Sequence, residues 1–214
     1  MSRDGAAPGR FIALEGGEGA GKSTQGALLA EALRQRGLEV VSTREPGGTP
    51  GAEAIRALLL GTDGEGWGPR AEALLFAAAR ADHVDRLIRP ALAAGRWVVC
   101  DRYVDSSRAY QGGGGGLSDA DILALHAIGS EGLLPDMTLL IEVSPNVAAA
   151  RLARRDAGGA DRIGGREAAY HARVAAAFAR FAEADPSRFA RIAGDGAPEA
   201  IHAQILAALA PLLP

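Results

Sequence analysis

The amino-acid sequence predicts an α/β fold: a five-stranded parallel sheet with helices on both faces. Three observations predict it. Short apolar runs alternate with segments of helical periodicity along the whole chain, the pattern of strand–helix–strand crossovers. The first apolar run ends in a glycine-rich turn that leads straight into a helical pattern. Conspicuous polar segments, 16–23, 44–49 and 101–111, each follow a strand. A parallel sheet gathers the segments after its strands along one edge, where ligands bind.

The elements follow in order. Phe11, Ile12, Ala13 and Leu14 form an apolar run closed by Glu15, a buried strand that feeds a turn. Residues 23–36 carry Leu28, Leu29, Ala32 and Leu33 at helical spacing, and Gly37 stops the helix. Residues 38–43 make a second strand. A Gly/Pro turn over 44–50 precedes a short helix over 52–60, and 61–69 is a loop. Residues 70–94 read as one long helix, broken or kinked near Pro90 and closed by Gly95. Residues 97–100 are a buried strand ending at Asp101. The five glycines at 112–116 are too flexible for the interior of a helix or strand. Ser118 opens another helix with Asp121 three residues on, close to a capping box. Residues 137–143 are the fourth strand, 145–155 a helix, and 156–165 a polar, Gly-rich stretch. Tyr170, Val174, Phe178 and Phe181 recur at helical spacing within 167–184, and 189–192 is the fifth strand. Pro198 sits in the first turn of a last helix that turns Ile201, Ile205, Leu209 and Leu212 inward. With no linker or repeat, residues 11–214 read as one domain behind a flexible arm over residues 1–10.

Composition narrows the function classes. Of the 214 residues, 48% are hydrophobic, enough for a substantial core. The net charge of −3 means that anionic substrates must meet local rather than global positive charge. No broad basic face for duplex nucleic acid is evident. A single cysteine, Cys100, rules out an intrachain disulfide framework and a cysteine-rich zinc site, and suits a reducing cytoplasm. No apolar run approaches the roughly 20 residues that span a bilayer, so no membrane partner is expected. Lys22 is the only lysine; every other basic side chain except histidine is arginine. A background that disfavours lysine keeps it at one position.

That position is chemically special. Gly16, Gly17, Glu18, Gly19, Ala20, Gly21, Lys22 and Ser23, followed by Thr24, match G-x-x-x-x-G-K-[ST] between a strand and a helix. The glycines let successive backbone N–H groups turn inward around an anion, and the helix that follows adds its positive end. Lys22 then reaches the terminal phosphates of ATP, and Ser23 ligates Mg²⁺. Asp101, closing the third strand, is the acid expected to hold the same ion. The fold is therefore that of a P-loop NTPase. A GTPase would need an N-K-x-D guanine reader, which the lone Lys22 makes impossible. A coherent alternative is a small-molecule or other nucleoside monophosphate kinase on the same scaffold.

Four further segments resemble thymidylate kinases. They are Thr43-Arg-Glu-Pro-Gly-Gly-Thr49, Leu75-Phe-Ala-Ala-Ala-Arg80, Asp101-Arg-Tyr103 with Ser106-Ser-Arg-Ala-Tyr-Gln111, and the arginine-rich stretch 151–162. The resemblance runs over nearly the whole chain and implies ATP + dTMP → ADP + dTDP, a step towards dTTP, in a cytoplasmic homodimer. It implies that Phe76 stacks on the thymine ring and that Arg80, four residues on and hence on the same helix face, meets a ring carbonyl. Arg102 grips the dTMP phosphate, with Arg44 nearby. Glu18 sits beside the sugar hydroxyl and Arg102. Ser107, Tyr110 and Gln111 complete the dTMP site, and the Glu45–Pro46 bond is implied to be cis. Some family members carry a basic residue one step after the P-loop acid, where this chain has Gly19. The resemblance then puts the catalytic arginine in a lid at about 151–166, with Arg151, Arg154, Arg155 and Arg162 as candidates and Arg154 and Arg155 foremost. The lid is expected to close over ATP. His83, His126, His171 and His202 lack ligand or triad spacing and read as structural or surface residues.

Overall fold

The computed structural model describes residues 9–61, 66–155 and 162–214. Residues 1–8 of the expected arm and 156–161 of the expected lid lie outside the described residues. Five parallel strands, β1 (Phe11–Glu15), β2 (Val40–Arg44), β3 (Trp97–Asp101), β4 (Met137–Glu142) and β5 (Phe189–Ala193), pair in the order β2-β3-β1-β4-β5. The expected sheet is borne out. β1 is central and every residue in it is buried, which is why its apolar run does not alternate with polar residues. Leu14 lies beside Asp101 on one side and Leu139 on the other. That register brings the P-loop, which leaves β1, level with the acid that ends β3.

Helices cover both faces. Ile12 and Leu14 point to one face, against Leu29 and Leu33 of α1 (Lys22–Gln35). The last helix runs Pro198–Leu209 and adds Ile201, Ile205 and Leu209 to the same core. Phe11 and Ala13 point to the other face, among Val98, Cys100, Val84, Ile88 and Tyr103. The intervening helices are α2 (Pro50–Leu60), α3 (Pro69–His83), α4 (Arg89–Ala93), α5 (Val104–Ser107), α6 (Asp119–Ser130), α7 (Pro145–Arg155) and α8 (Ala168–Ala184), which makes the last helix α9. Two start signals act as read from the sequence, Ser118 and Pro198, while Thr49, Pro50 and Pro69 open helices from segments read as turn or loop. Thr49 accepts from the Ala52 amide at 3.3 Å, and Ser118 from the Asp121 amide at 3.1 Å. Pro50, Pro69 and Pro198 each open a helix. Among the described residues no helix is long and apolar enough to cross a membrane.

One expectation takes a definite form and two need correction. The interruption expected near Pro90 in the helix over 70–94 is a π-helical turn, Val84–Ile88, in which the Arg89 amide reaches back to the Val84 carbonyl before α4 resumes. Proline has no N–H to donate into the α ladder, and the inserted residue absorbs the misfit. The glycine run is also helical in part: Gly112, Gly113 and Gly114 belong to a second π-helical turn, Arg108–Gly114, that continues α5. Close packing explains them better than flexibility. A Cβ on Gly113 would lie 2.6 Å from the Cβ of Ala177, and one on Gly114 2.5 Å from the ring of Tyr170, both on α8. Finally, Arg10 is not loose. It donates to Asp136 at 2.8 Å, and the other oxygen of Asp136 accepts the Phe11 amide at 2.7 Å.

Candidate active site

Two cavities meet at the P-loop. The first, about 290 Å³, is walled by Glu18, Gly19, Ala20, Gly21, Lys22, Ser23 and Thr24, with Arg151, Leu152 and Arg154 of α7 opposite. Gly19 and Gly21 hold φ near +72° and +91°, the left-handed region that glycine enters without a Cβ penalty. Gly19 is fixed by space as well: a Cβ there would lie 2.8 Å from the Ala148 carbonyl oxygen on α7. No basic side chain fits at this position, in keeping with the departure noted in the sequence. Lys22 is buried and its ammonium donates to the carbonyls of Gly16 at 3.1 Å and Gly17 at 2.8 Å. Burial, then the neighbouring Arg102 charge, bring its pKa down to about 8 against the pull of Asp101, Glu18 and Glu15. The Ser23 hydroxyl donates to Asp101 Oδ2 at 2.6 Å. One hydroxyl and one carboxylate at a single point, with no group of three or more His, Cys, Asp or Glu among the described residues, is a donor set that fits Mg²⁺. That ion takes few protein oxygens and completes its shell with water and phosphate.

The second cavity, about 340 Å³, shares Glu18, Lys22 and Ser23 with the first and extends over Arg44, Phe76, Arg80, Asp101, Arg102, Ser107, Tyr110 and Gln111. Every residue assigned to the dTMP site from the sequence therefore lines one space. Arg102 holds φ 70°, unusual for a non-glycine residue. Its guanidinium donates to Glu18 Oε1 at 2.5 Å, to the Gly16 carbonyl at 3.2 Å and to Ser106 Oγ at 3.1 Å. It also covers the Tyr110 ring at 4.9 Å, while the Tyr110 hydroxyl donates to Glu18 at 3.2 Å. Arg80 is 3% exposed and donates to Glu45 at 2.8 Å and Ser107 Oγ at 2.9 Å through Nε and Nη2. Phe76 lies one turn before it, half-buried. Arg44 is exposed and forked onto Glu53 at 3.0 and 3.2 Å. The Glu45–Pro46 bond is cis.

The four lid arginines divide. Arg151 donates to the Ala20 carbonyl at 3.2 Å and to Gly194 O at 2.8 Å, tying the P-loop to the loop after β5. Arg162 donates to the Gly61 carbonyl at 2.6 Å, away from the P-loop. Arg154 is exposed on the P-loop cavity. Arg155 ends α7, and its side chain lies outside the described residues.

Several buried acids around the site were missed in the sequence. Glu15 is fully buried; it accepts the amides of Tyr103 at 2.8 Å and Ser106 at 3.0 Å, and the Ser106 hydroxyl at 2.6 Å. Burial and the Asp105 charge push its carboxyl up to about 7, although Ser106, Arg102 and the Tyr103 amide pull the other way. Its signal was a charge closing an otherwise apolar strand. Glu45 pairs with Arg80, and its other oxygen meets His83 Nδ1 at 3.1 Å, while His83 Nε2 meets Thr43 Oγ1 at 2.7 Å. His83 is thus structural, as read. Glu72 binds Gln111 and Arg166. Its signal was spacing: Glu72, Phe76 and Arg80 follow at i, i+4 and i+8 on one helix face.

The thymidylate kinase family model matches residues 14–205. The chain belongs to the thymidylate kinase family. It is 59% identical over 207 residues to the thymidylate kinase of Rhizorhabdus wittichii, covering 97% of this chain and all of that one. With the thymidylate kinase of Chromohalobacter salexigens it shares 50% identity over 203 residues, 94% of this chain and 95% of the relative. The crystal structure of thymidylate kinase from Ehrlichia chaffeensis superposes with a TM-score of 0.78 at 31% identity, over 95% of this chain and all of that one. As a thymidylate kinase the chain is a nucleoside monophosphate kinase, a transferase whose acceptor is dTMP.

Proposed function

We propose that residues 11–214 form one kinase domain. In it the γ-phosphoryl group of ATP passes from the P-loop cavity to the phosphate of dTMP held in the second cavity. The observation that carries this reading is the junction itself: Glu18, Lys22 and Ser23 line both spaces. Donor and acceptor phosphates bound in the two cavities meet there, which is the positioning that phosphoryl transfer needs. The amides of residues 16–24 and Lys22 hold the ATP phosphates. Arg102, steadied by Glu18 and Ser106, turns its fork to the dTMP phosphate, and Arg44 adds charge at the rim. Phe76 stacks on the base, and Arg80, Ser107 and Gln111 supply polar contacts to it. Tyr110 closes the sugar side with Glu18. Arg154 and Arg155 bring positive charge to the transferring group. Ser23 and Asp101 would hold Mg²⁺, which neutralises phosphate charge when bound.

The assembly proposed is a homodimer. Leu74 on α3 and Ile128 on α6 are 56% and 82% exposed on two helices that pack together, an apolar face that a second copy would cover. The lone buried thiol of Cys100 suits a cytoplasmic protein. A coupled ADP-release assay over a panel of nucleoside monophosphates tests the reaction. dTMP should be preferred to dCMP and dGMP, because a guanidinium donor suits a thymine carbonyl and opposes the cytosine amino group. Equal kcat/KM for dCMP would sink the assignment.

A further inference from the structure

We infer that Glu72 is a positioning residue that sets the hydrogen-bond polarity of the base pocket by fixing which end of the Gln111 carboxamide faces the ligand. The inference rests on the dTMP reading above. Gln111 lines the acceptor cavity, yet only 2% of it is exposed. A carboxamide can turn over and present either its NH₂ or its oxygen, and nothing in its own shape decides between them. Glu72 decides. Its side chain is 4% exposed, and one carboxylate oxygen takes Gln111 Nε2 at 2.9 Å. An ionised carboxylate only accepts hydrogen bonds, so the NH₂ end must face it. Gln111 Oε1 is then the end left for a ligand.

Arg166 prevents the carboxylate from yielding. Its Nη2 pairs with the other oxygen of Glu72, and its Nη1 donates to the Tyr170 hydroxyl at 2.6 Å. Tyr170 in turn donates to the Tyr110 carbonyl at 2.8 Å, the residue before Gln111. Both the acid and the backbone that carries Gln111 are therefore held from one arginine. Arg80 completes the pattern: its Nε and Nη2 are spent on Glu45, Tyr103 and Ser107, and Nη1 is its remaining donor. An acceptor at Gln111 and a donor at Arg80 match the N3–H and O4 of a thymine or uracil ring. They oppose cytosine, which offers a lone pair at N3 and an amino group at C4.

The test is Glu72→Gln, which keeps the shape of the side chain but offers an amide that can donate as well as accept. Gln111 is then free to turn over. Wild type and variant are assayed with dTMP and dCMP at saturating ATP, with circular dichroism to check the fold. The ratio of kcat/KM for dTMP over dCMP should fall on the order of 10-fold, with the ATP KM unchanged. In a Gln111→Leu background the same substitution should leave the ratio where it is, because no carboxamide remains to orient. If Glu72→Gln does not fold, Glu72→Asp carries the same comparison, since it keeps the negative charge but is a methylene shorter and cannot reach both Gln111 and Arg166. A folded variant with an unchanged ratio overturns the inference, as does an equal fall in the Gln111→Leu background. A wild type without preference for dTMP overturns the substrate reading itself, and this inference with it.

Discussion

The two cavities that meet at Lys22 are built by different means. The phosphate side is mostly main chain. Its shape comes from glycines at Gly19 and Gly21 in left-handed conformations and from the start of α1, and it needs two side chains, Lys22 and Ser23. The acceptor side is mostly side chain, held by partners far apart in sequence. Arg102 is paired with Glu18, Arg80 with Glu45 and Ser107, and Gln111 with Glu72. A main-chain nest has few positions that matter, and each is indispensable. A side-chain network has many, and each can be retuned while the fold stands. On the proposed reading, phosphate binding therefore sits in the first cavity, and choice of acceptor in the second.

Substitutions should sort by cavity. Lys22→Ala has the largest expected effect: turnover abolished and the fold kept, since Lys22 bonds only loop carbonyls. Near-normal kcat in a folded variant would erase the distinction between the cavities at its root. Replacing Arg154 and Arg155 together by Ala should lower kcat on the order of 10³-fold and leave dTMP affinity nearly unchanged, because the acceptor cavity is lined by other segments. Steady-state kinetics with dTMP titration decides: retained kcat puts the catalytic cation elsewhere, and lost dTMP binding makes these arginines part of the acceptor side. Phe76→Ala should raise the dTMP KM by roughly 10-fold, the usual worth of one base stacked on one ring, and spare the ATP KM. An unchanged dTMP KM removes Phe76 from the pocket.

The smallest effect is a pH dependence at Glu15, the buried acid that ends β1 just before the P-loop. Its carboxyl rises from an ordinary 4.5 to about 7 on folding. Between those values the folded chain keeps a proton that the unfolded chain has released. The stability this contributes is fully present below about pH 4.5 and is withdrawn as pH climbs through about 7. From about pH 5 to about pH 8, the Tm of the wild type should therefore fall relative to that of Glu15→Gln. A difference between the two that is flat with pH would show that Ser106 and the Tyr103 amide hold Glu15 ionised throughout.

How much could be read in advance follows the same division. The P-loop, the five strands and Asp101 were legible because their signals are local: a glycine spacing, apolar runs, an acid at a strand end. Phe76 and Arg80 were legible because four residues of helix bring them to one face. Glu15, Glu45 and Glu72 were not read, because what makes each one matter is a partner 35 to 94 residues away. The glycine run misled for a related reason. Flexibility is a property of the segment alone, whereas the need for bare backbone comes from α8, a neighbour that local pattern does not reveal.

That glycine run also bears on how the gene can drift. Five identical neighbours look interchangeable, yet each faces different selection. Gly113 and Gly114 abut Ala177 and Tyr170, and even a methyl group would pry α8 from the wall of the acceptor cavity. Gly116 has nothing within 4 Å of an added Cβ but holds φ at +84°, so it would pass to asparagine more readily than to valine. Gly112 has 3.6 Å to its nearest neighbour and an ordinary φ, which leaves it open to alanine. Gly115 is held as well, because an added Cβ would lie 2.6 Å from the Gln111 carbonyl oxygen. A lineage accumulating neutral changes should therefore lose the repeat from its ends inward, keeping the three central glycines 113–115.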